Sequence, residues 1–170
     1  MATSNNGNGN GKSGEAAPAT PPPVQVKVVA QYIKDLSFEN PNIEKIIKDP
    51  GDQPNLQLSI NVGAKGIGPS LYESSIDFHA QATNKLGEIY QLELIYAGLF
   101  RIENIPELAL EPFLLVNCPS IIFPFVRRLV ADLTREGGFP PLLLDPFDFA
   151  SLYMRRQQEL QQQAAAAPKN

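Results

Sequence analysis

The 170-residue chain has no tryptophan, one cysteine and one histidine. A lone cysteine excludes an intrachain disulfide and fits a reducing compartment. One cysteine and one histidine do not close a zinc site without several carboxylates. Charge is also scarce, at 19 % of residues, and the net charge is −4. A sequence-independent nucleic-acid binder needs an excess of Lys and Arg instead. An acidic surface suits a basic partner. No uninterrupted apolar run approaches the roughly 18 residues of a membrane span. The amino terminus lacks the apolar segment of a secretory signal. The expected location is the cytoplasm.

Hydrophobic residues make up 43 % of the chain, enough for one core. Met1 to Pro23 is low-complexity Gly, Asn, Pro and Ala, which reads as a disordered leader. Gly11-Lys12-Ser13 imitates the end of a phosphate-binding loop. The leading glycine of that motif falls on Asn6, and no strand precedes it, so nucleotide binding is not expected there. Residues 24–160 read as a single folded domain and 161–170 as a flexible tail.

From Val24 the pattern has period two. Val24, Val26, Val28, Ala30 and Tyr32 share a face that continues through Leu36 and Phe38. Asn40-Pro41 ends this strand, and Asp49-Pro50-Gly51-Asp52 is a turn. A second strand is expected from about Asn55 to Ala64, and a third from about Leu71 to Asn84. After the turn Asn84-Lys85-Leu86-Gly87, a fourth runs from about Glu88 to Arg101. In that strand Tyr90, Leu92, Leu94, Tyr96 and Phe100 form one apolar face, while Ile89, Ile95 and Leu99 occupy the other. A strand apolar on both faces is covered on both, and in so short a chain the second cover is expected to be another subunit.

Beyond Pro106 the period lengthens. A short helix is expected to Val116 and a main helix over Pro119–Glu136, with Cys118 at its cap and Pro119 at its first position. Pro124 should bend it. Ile122, Phe125 or Val126, Leu129 and Leu133 form its apolar stripe, and Gly137-Gly138 stops it. Asp148 caps a last helix. Strands followed by helices give an α+β fold with a four-stranded antiparallel sheet.

Cys118 at a helix start is a suggestive nucleophile, but His79 lies on the polar face of a strand and nothing in the sequence brings the two together. The chain reads as a non-enzyme with no cofactor and no metal. Asp35, Ser37 and Glu39 form an acidic ladder, and Glu93 shares a face with Gln91. These are either a solvated sheet face or a docking surface. The fourteen aromatics, nine Phe and five Tyr, are mostly core by number.

Three separated motifs carry a resemblance. They are Tyr32-Ile33-Lys34-Asp35-Leu36-Ser37-Phe38-Glu39-Asn40-Pro41, then Cys118-Pro119 followed by Phe123-Pro124, then Gly138-Phe139-Pro140-Pro141 leading to Phe149. Over about Val26–Tyr153 the chain resembles the SecB protein-export chaperone family. The resemblance implies an ATP-independent holdase that keeps precursor proteins unfolded and delivers them to the SecA translocation ATPase. It implies a homotetramer, a dimer of dimers, with Leu92, Leu94 and Tyr96 at subunit contacts. It puts the dock for the basic, zinc-bearing tail of SecA on Asp35, Glu39 and Glu93. At Gln91 the family commonly has an apolar residue. It lines a client groove with Phe38, Ile43, Ile46, Ile47, Phe139, Phe147, Phe149 and Tyr153. Two other readings stand beside this one: a structural adaptor with the same fold, and a chaperone dedicated to a toxin–antitoxin pair.

Overall fold

Alternation and turn residues give four strands in the computed structural model, which describes residues 21–49 and 51–166. Most of the leader, the Gly11-Lys12-Ser13 segment, Pro50 and residues 167–170 lie outside it. The strands are β1 (Gln25–Glu39), β2 (Asn55–Gly68), β3 (Leu71–Asn84) and β4 (Gly87–Glu103). They form one antiparallel sheet in the order β1-β4-β3-β2. A short helix α1 (Ile43–Lys48) interrupts the connection between β1 and β2. Helices α2 (Glu107–Pro112), α3 (Cys118–Glu136) and α4 (Phe149–Ala166) follow the sheet.

The single even face expected along β1 needs correction. Val28 pairs with Phe100 but Ala30 with Leu99; Ile33 pairs with Tyr96 but Asp35 with Ile95. Val29 and Lys34 are therefore extra residues, two bulges that each invert the facing of the strand beyond them. Val26, Val28, Leu36 and Phe38 keep to the helix side, whereas Ala30 and Tyr32 turn to the open face. A charged network holds this inverted segment. The Tyr32 hydroxyl donates to Glu73 of β3, and Lys34 Nζ lies 2.8 Å from its other carboxylate oxygen. Lys65 Nζ of β2 stands 3.5 Å from that same oxygen. Glu73 is only 6 % exposed. Burial pushes its carboxyl up, but the hydrogen bonds from Lys34 and Tyr32 and the two lysine charges win and hold it below its usual range. The same bond raises the Tyr32 phenol to about 12.

Ile76, Phe78 and Ala80 of β3 meet Ile122, Val126 and Val130 of α3 across the core. The four-residue spacing of those helix positions makes one buried stripe, so Val126 faces the sheet. Phe125 stays exposed and lays its ring on Tyr96, centroids 6.2 Å apart and nearly parallel. Leu92 and Leu94 are fully buried inside this same core and Tyr96 almost so. The resemblance implied subunit contacts at these three, whereas within one protomer the chain's own helix layer already covers them. The opposite face of β4 carries Ile95, Ala97 and Leu99.

The two expected helices are one. A π-helical turn, Phe113–Asn117, joins α2 to α3, and Asn117 and Cys118 both have helical angles. Pro119 has no N–H to offer Leu115 and its ring crowds that carbonyl, so the helix widens there rather than starting anew. Cys118 is thus a buried helical residue and not a cap. By length and composition the joined helix could cross a bilayer, but its buried face packs on β3 and β4. It ends as expected at Gly137-Gly138. The Phe139 N–H bonds the Thr134 carbonyl at 3.1 Å and the Gly138 N–H bonds that of Arg135 at 3.0 Å. That is a Schellman ending, with Gly138 left-handed at φ 88°. Thr134 Oγ1 accepts the Leu142 N–H at 2.9 Å, and Arg127 Nε donates to the Leu144 carbonyl at 2.7 Å. The loop after α3 is therefore tied back along the helix. Asp148 caps α4 by accepting the Ser151 N–H at 3.0 Å. Bonds from Ser151 hold its carboxyl below the usual range. Helix α4 continues to Ala166, through the stretch where a flexible tail was expected.

Candidate functional site

Restored parity after the Lys34 bulge puts Asp35, Ser37 and Glu39 on the open face of the sheet. Pairing of β1 with β4 places Ser37 opposite Glu93 and Glu39 opposite Gln91. The structure thus brings Asp35, Glu39 and Glu93 together, an adjacency the sequence did not reveal. Asp35 and Glu39 are exposed. Glu93 has two neighbours that sequence reading did not connect to it. Gln91 Nε2 donates to its Oε1 at 2.9 Å, and His79 Nε2 of β3 lies 3.7 Å from the same oxygen. A carboxylate cluster on an exposed sheet face can bind a cationic chain. Among the described residues no three His, Cys, Asp or Glu side chains are grouped to hold a metal ion.

The other side of the same strand ends at a groove. Ile43, Ile46 and Ile47 of α1 face Ile89 and Tyr90 of β4 and Phe139 of the post-helix loop around a space of about 420 Å³. Tyr90 is the centre of an aromatic stack, 5.7 Å from Phe38 and 5.1 Å from Phe139. Burial raises its phenol. Phe38 reaches this place because Gly137 has no side chain: a Cβ there would lie 2.4 Å from the Phe38 ring. Ile89 was expected on the opposite face. It enters the groove because Ala82 pairs with Tyr90 but Thr83 with Glu88, which makes Ile89 a bulge. Tyr90 and Ile89 are among the lining residues that pattern reading missed, with Asp52, Pro54, Ala82, Gly138 and Pro140. The signal for Tyr90 was its place at the start of an apolar face, two positions before Leu92. A second cleft of about 520 Å³ lies between β2 and α2. It mixes Lys65, Arg156, Glu107 and Glu111 with its apolar floor, which suits an unfolded apolar segment less well.

Phe147, Phe149 and Tyr153 do not join this groove. Phe149 is 2 % exposed and packs edge-on against Phe123 at 5.4 Å, with Phe147 4.9 Å away. Phe123 sits 14 residues before Gly137 on α3, about 20 Å along the axis at 1.5 Å per residue. Phe149 as a groove wall is thus corrected to core, because its ring closes the base of α4. Phe147 and Tyr153 remain half-buried beside it. Cys118 is fully buried, and burial pushes its thiol up to about 12. A thiol so disposed is protonated and out of reach, the reverse of a nucleophile.

Residues 19–160 match the family model described as preprotein translocase subunit SecB. The protein-export protein SecB of Afipia carboxidovorans is 48 % identical over 152 residues, 88 % of this chain and 94 % of that one. The SecB protein of Parvibaculum lavamentivorans is 44 % identical over 167 residues, 98 % of this chain and 99 % of its own. Among solved structures, a SecB-like chaperone of Mycobacterium tuberculosis bound to an antitoxin peptide superposes with a TM-score of 0.58 at 17 % identity. That match covers 72 % of this chain and 90 % of the other, and bears on the fold alone. With the four-stranded antiparallel sheet, its helix layer and these matches in hand, the chain belongs to the SecB family.

Proposed function

We propose that the protein is a chaperone in protein export that works as an ATP-independent holdase. It takes unfolded precursors into the groove between α1, β4 and the post-helix loop and keeps them competent for translocation. It hands them to SecA through the face carrying Asp35, Glu39 and Glu93. The observation that carries this reading is the groove itself. Branched aliphatics face Tyr90 and Phe139 beside the Schellman ending of α3, with Phe38 stacked on Tyr90 and not itself lining the space. Such a surface recognises any extended chain with spaced apolar side chains, gaining roughly 25 cal/mol per Å² of apolar area removed from water. It needs no nucleotide, because the client leaves when a partner binds it better. The zinc in the hand-off belongs to the tail of SecA.

Assembly as a dimer of dimers remains part of the proposal, on different residues from those first expected. Strand β1 is an outer strand, and Val26, Val28, Val29, Ile33 and Leu36 along it are between 37 % and 46 % exposed. An apolar edge of that length, unpaired among the described residues, is a surface that folded proteins cover. The working location is the cytoplasm, where precursors emerge.

The deciding experiment is light scattering of a denatured protein diluted into buffer with and without the chain, in the absence of nucleotide. Suppression at near-stoichiometric ratios is expected. A folded chain that leaves aggregation unchanged would move the protein to the structural-adaptor reading.

A further inference from the structure

Glu93 is the only acid of the proposed dock that other side chains hold within the chain's own sheet. Gln91, two residues before it on β4, donates to Oε1 at 2.9 Å. His79 is its direct partner on β3 and approaches the same oxygen at 3.7 Å. It is the chain's one histidine, with its side chain about a third exposed.

We propose that Gln91 and His79 are positioning residues for this dock. Gln91 fixes the direction of the Glu93 carboxylate, and His79 sets how much of its negative charge is offered to a cationic partner. The inference rests on the docking reading of the acidic face. The surroundings of His79 point one way. Across β4 it meets Glu93, with Asp35 and Glu39 of β1 beyond. Along its own strand Asp77 and Gln81 flank it on the same face. On β2 its partner is Ser59, with Gln57 and Asn61 diagonal to it. Gln81 is turned to Glu88, 2.7 Å away. The charged groups nearest the ring are acids, and the cations Lys34 and Lys65 are drawn to Glu73 further along the sheet.

Histidine changes charge between about pH 5 and 8. The neutral ring leaves the Glu93 charge to the partner. The protonated ring pairs with Glu93, cancels part of the local field and competes with an incoming lysine or arginine. Docking of a basic tail therefore weakens as pH falls through the histidine range, while the groove on the opposite face is untouched. Gln91 bears on orientation: a leucine there would free Glu93 to swing toward His79.

The test uses the full chain and a synthetic zinc-loaded peptide of the SecA tail, with affinity measured from pH 5.5 to 8. Two- to fivefold weaker binding at pH 5.5 than at 7.5 is expected, the scale of one exposed ion pair. That loss should be absent in His79→Gln. The peptide's own zinc ligands titrate against both chains, so the difference between the two profiles is the readout. Gln91→Leu should steepen the profile. Identical profiles for the unsubstituted chain and His79→Gln would overturn the proposal. Absence of binding at every pH would sink the docking reading instead, and NMR of the imidazole at pH 5.5 then still decides the pair. Ring resonances that move in Glu93→Gln support the contact, and unmoved resonances overturn it.

Discussion

Ser37 of β1 stands directly opposite Glu93 of β4, so Asp35 and Glu39 fall diagonally to either side of that glutamate. Three carboxylates are thereby spread over two adjacent strands rather than stacked in one column. Reversing two of them, Glu39→Lys with Glu93→Lys, replaces attraction for a basic tail by repulsion. Binding of the SecA tail should fall by on the order of tenfold to a hundredfold, while suppression of aggregation stays as it was. Titration calorimetry and light scattering on the same preparation separate the two. Equal loss of both would remove the acidic face from consideration.

Ile47 is 75 % exposed at the rim of the groove and adds little to the fold. Replacing it by Asp puts an unpaired charge where the proposed groove would receive apolar client side chains. Holding should fall severalfold, with the melting temperature within a degree or two. A variant that holds as well as the parent would place client binding elsewhere.

Gly137 has an ordinary φ of −71°, so Gly137→Ala meets no backbone penalty there. Its cost is the methyl group directed at the Phe38 ring. Displacing that ring should lower stability by about 1–3 kcal/mol, as overpacking does. It should also disturb the Phe38–Tyr90 stack and so reduce holding. Chemical denaturation gives the first quantity, and the aggregation assay at a temperature well below melting gives the second.

Leu92 separates core from interface. Buried wholly within the protomer, it should cost about 2–5 kcal/mol on truncation to Ala, and chain concentration should not rescue the loss. Denaturation at two concentrations differing by a hundredfold makes the check. A midpoint that rises strongly with concentration for the parent but not for the variant would return Leu92 to the subunit contact.

Stability toward alkali follows from Tyr32 and Cys118. Both hold their protons more tightly folded than unfolded, to about 12. Their contributions are therefore complete below the ordinary values, near 10 for a phenol and 8.5 for a thiol, and are lost as pH rises toward 12. Glu73 has the opposite sense: its contribution is present above the usual carboxylate range and is lost as pH falls below it. Melting temperatures should form a plateau that declines on both sides. Tyr32→Phe should lower the plateau and flatten the decline between pH 10 and 12. An unchanged alkaline limb in that variant would mean the Tyr32–Glu73 bond contributes nothing.

Period-two spacing was sufficient to find all four strands, and Gly137-Gly138 and Asp148 located two helix ends because each carries its own local chemistry. The bulges at Val29, Lys34 and Ile89 left no such mark. None is a glycine, and the Tyr32–Glu73 bond that accompanies two of them links residues 41 apart. The π turn was hidden for a related reason. A proline at 119 fits the first turn of a new helix as well as a widened turn in a continuing one, and the continuing helix is the one that buries Leu114 and Leu115. Apolarity on both faces of β4 was legible, but which face meets the chain's own helices was not. Residues of the acidic face and of the groove could be named from the resemblance. Their contacts with Gln91, His79 and Tyr90 depend on strand order, which no local pattern encodes.

Phe38 and Glu39 are consecutive residues, and they look out on opposite sides of the sheet. On the proposed reading, a precursor lying in the groove and a partner resting on the acidic face would be separated by one thickness of peptide backbone. Exchange of cargo would then be a local event rather than a reorientation of parts.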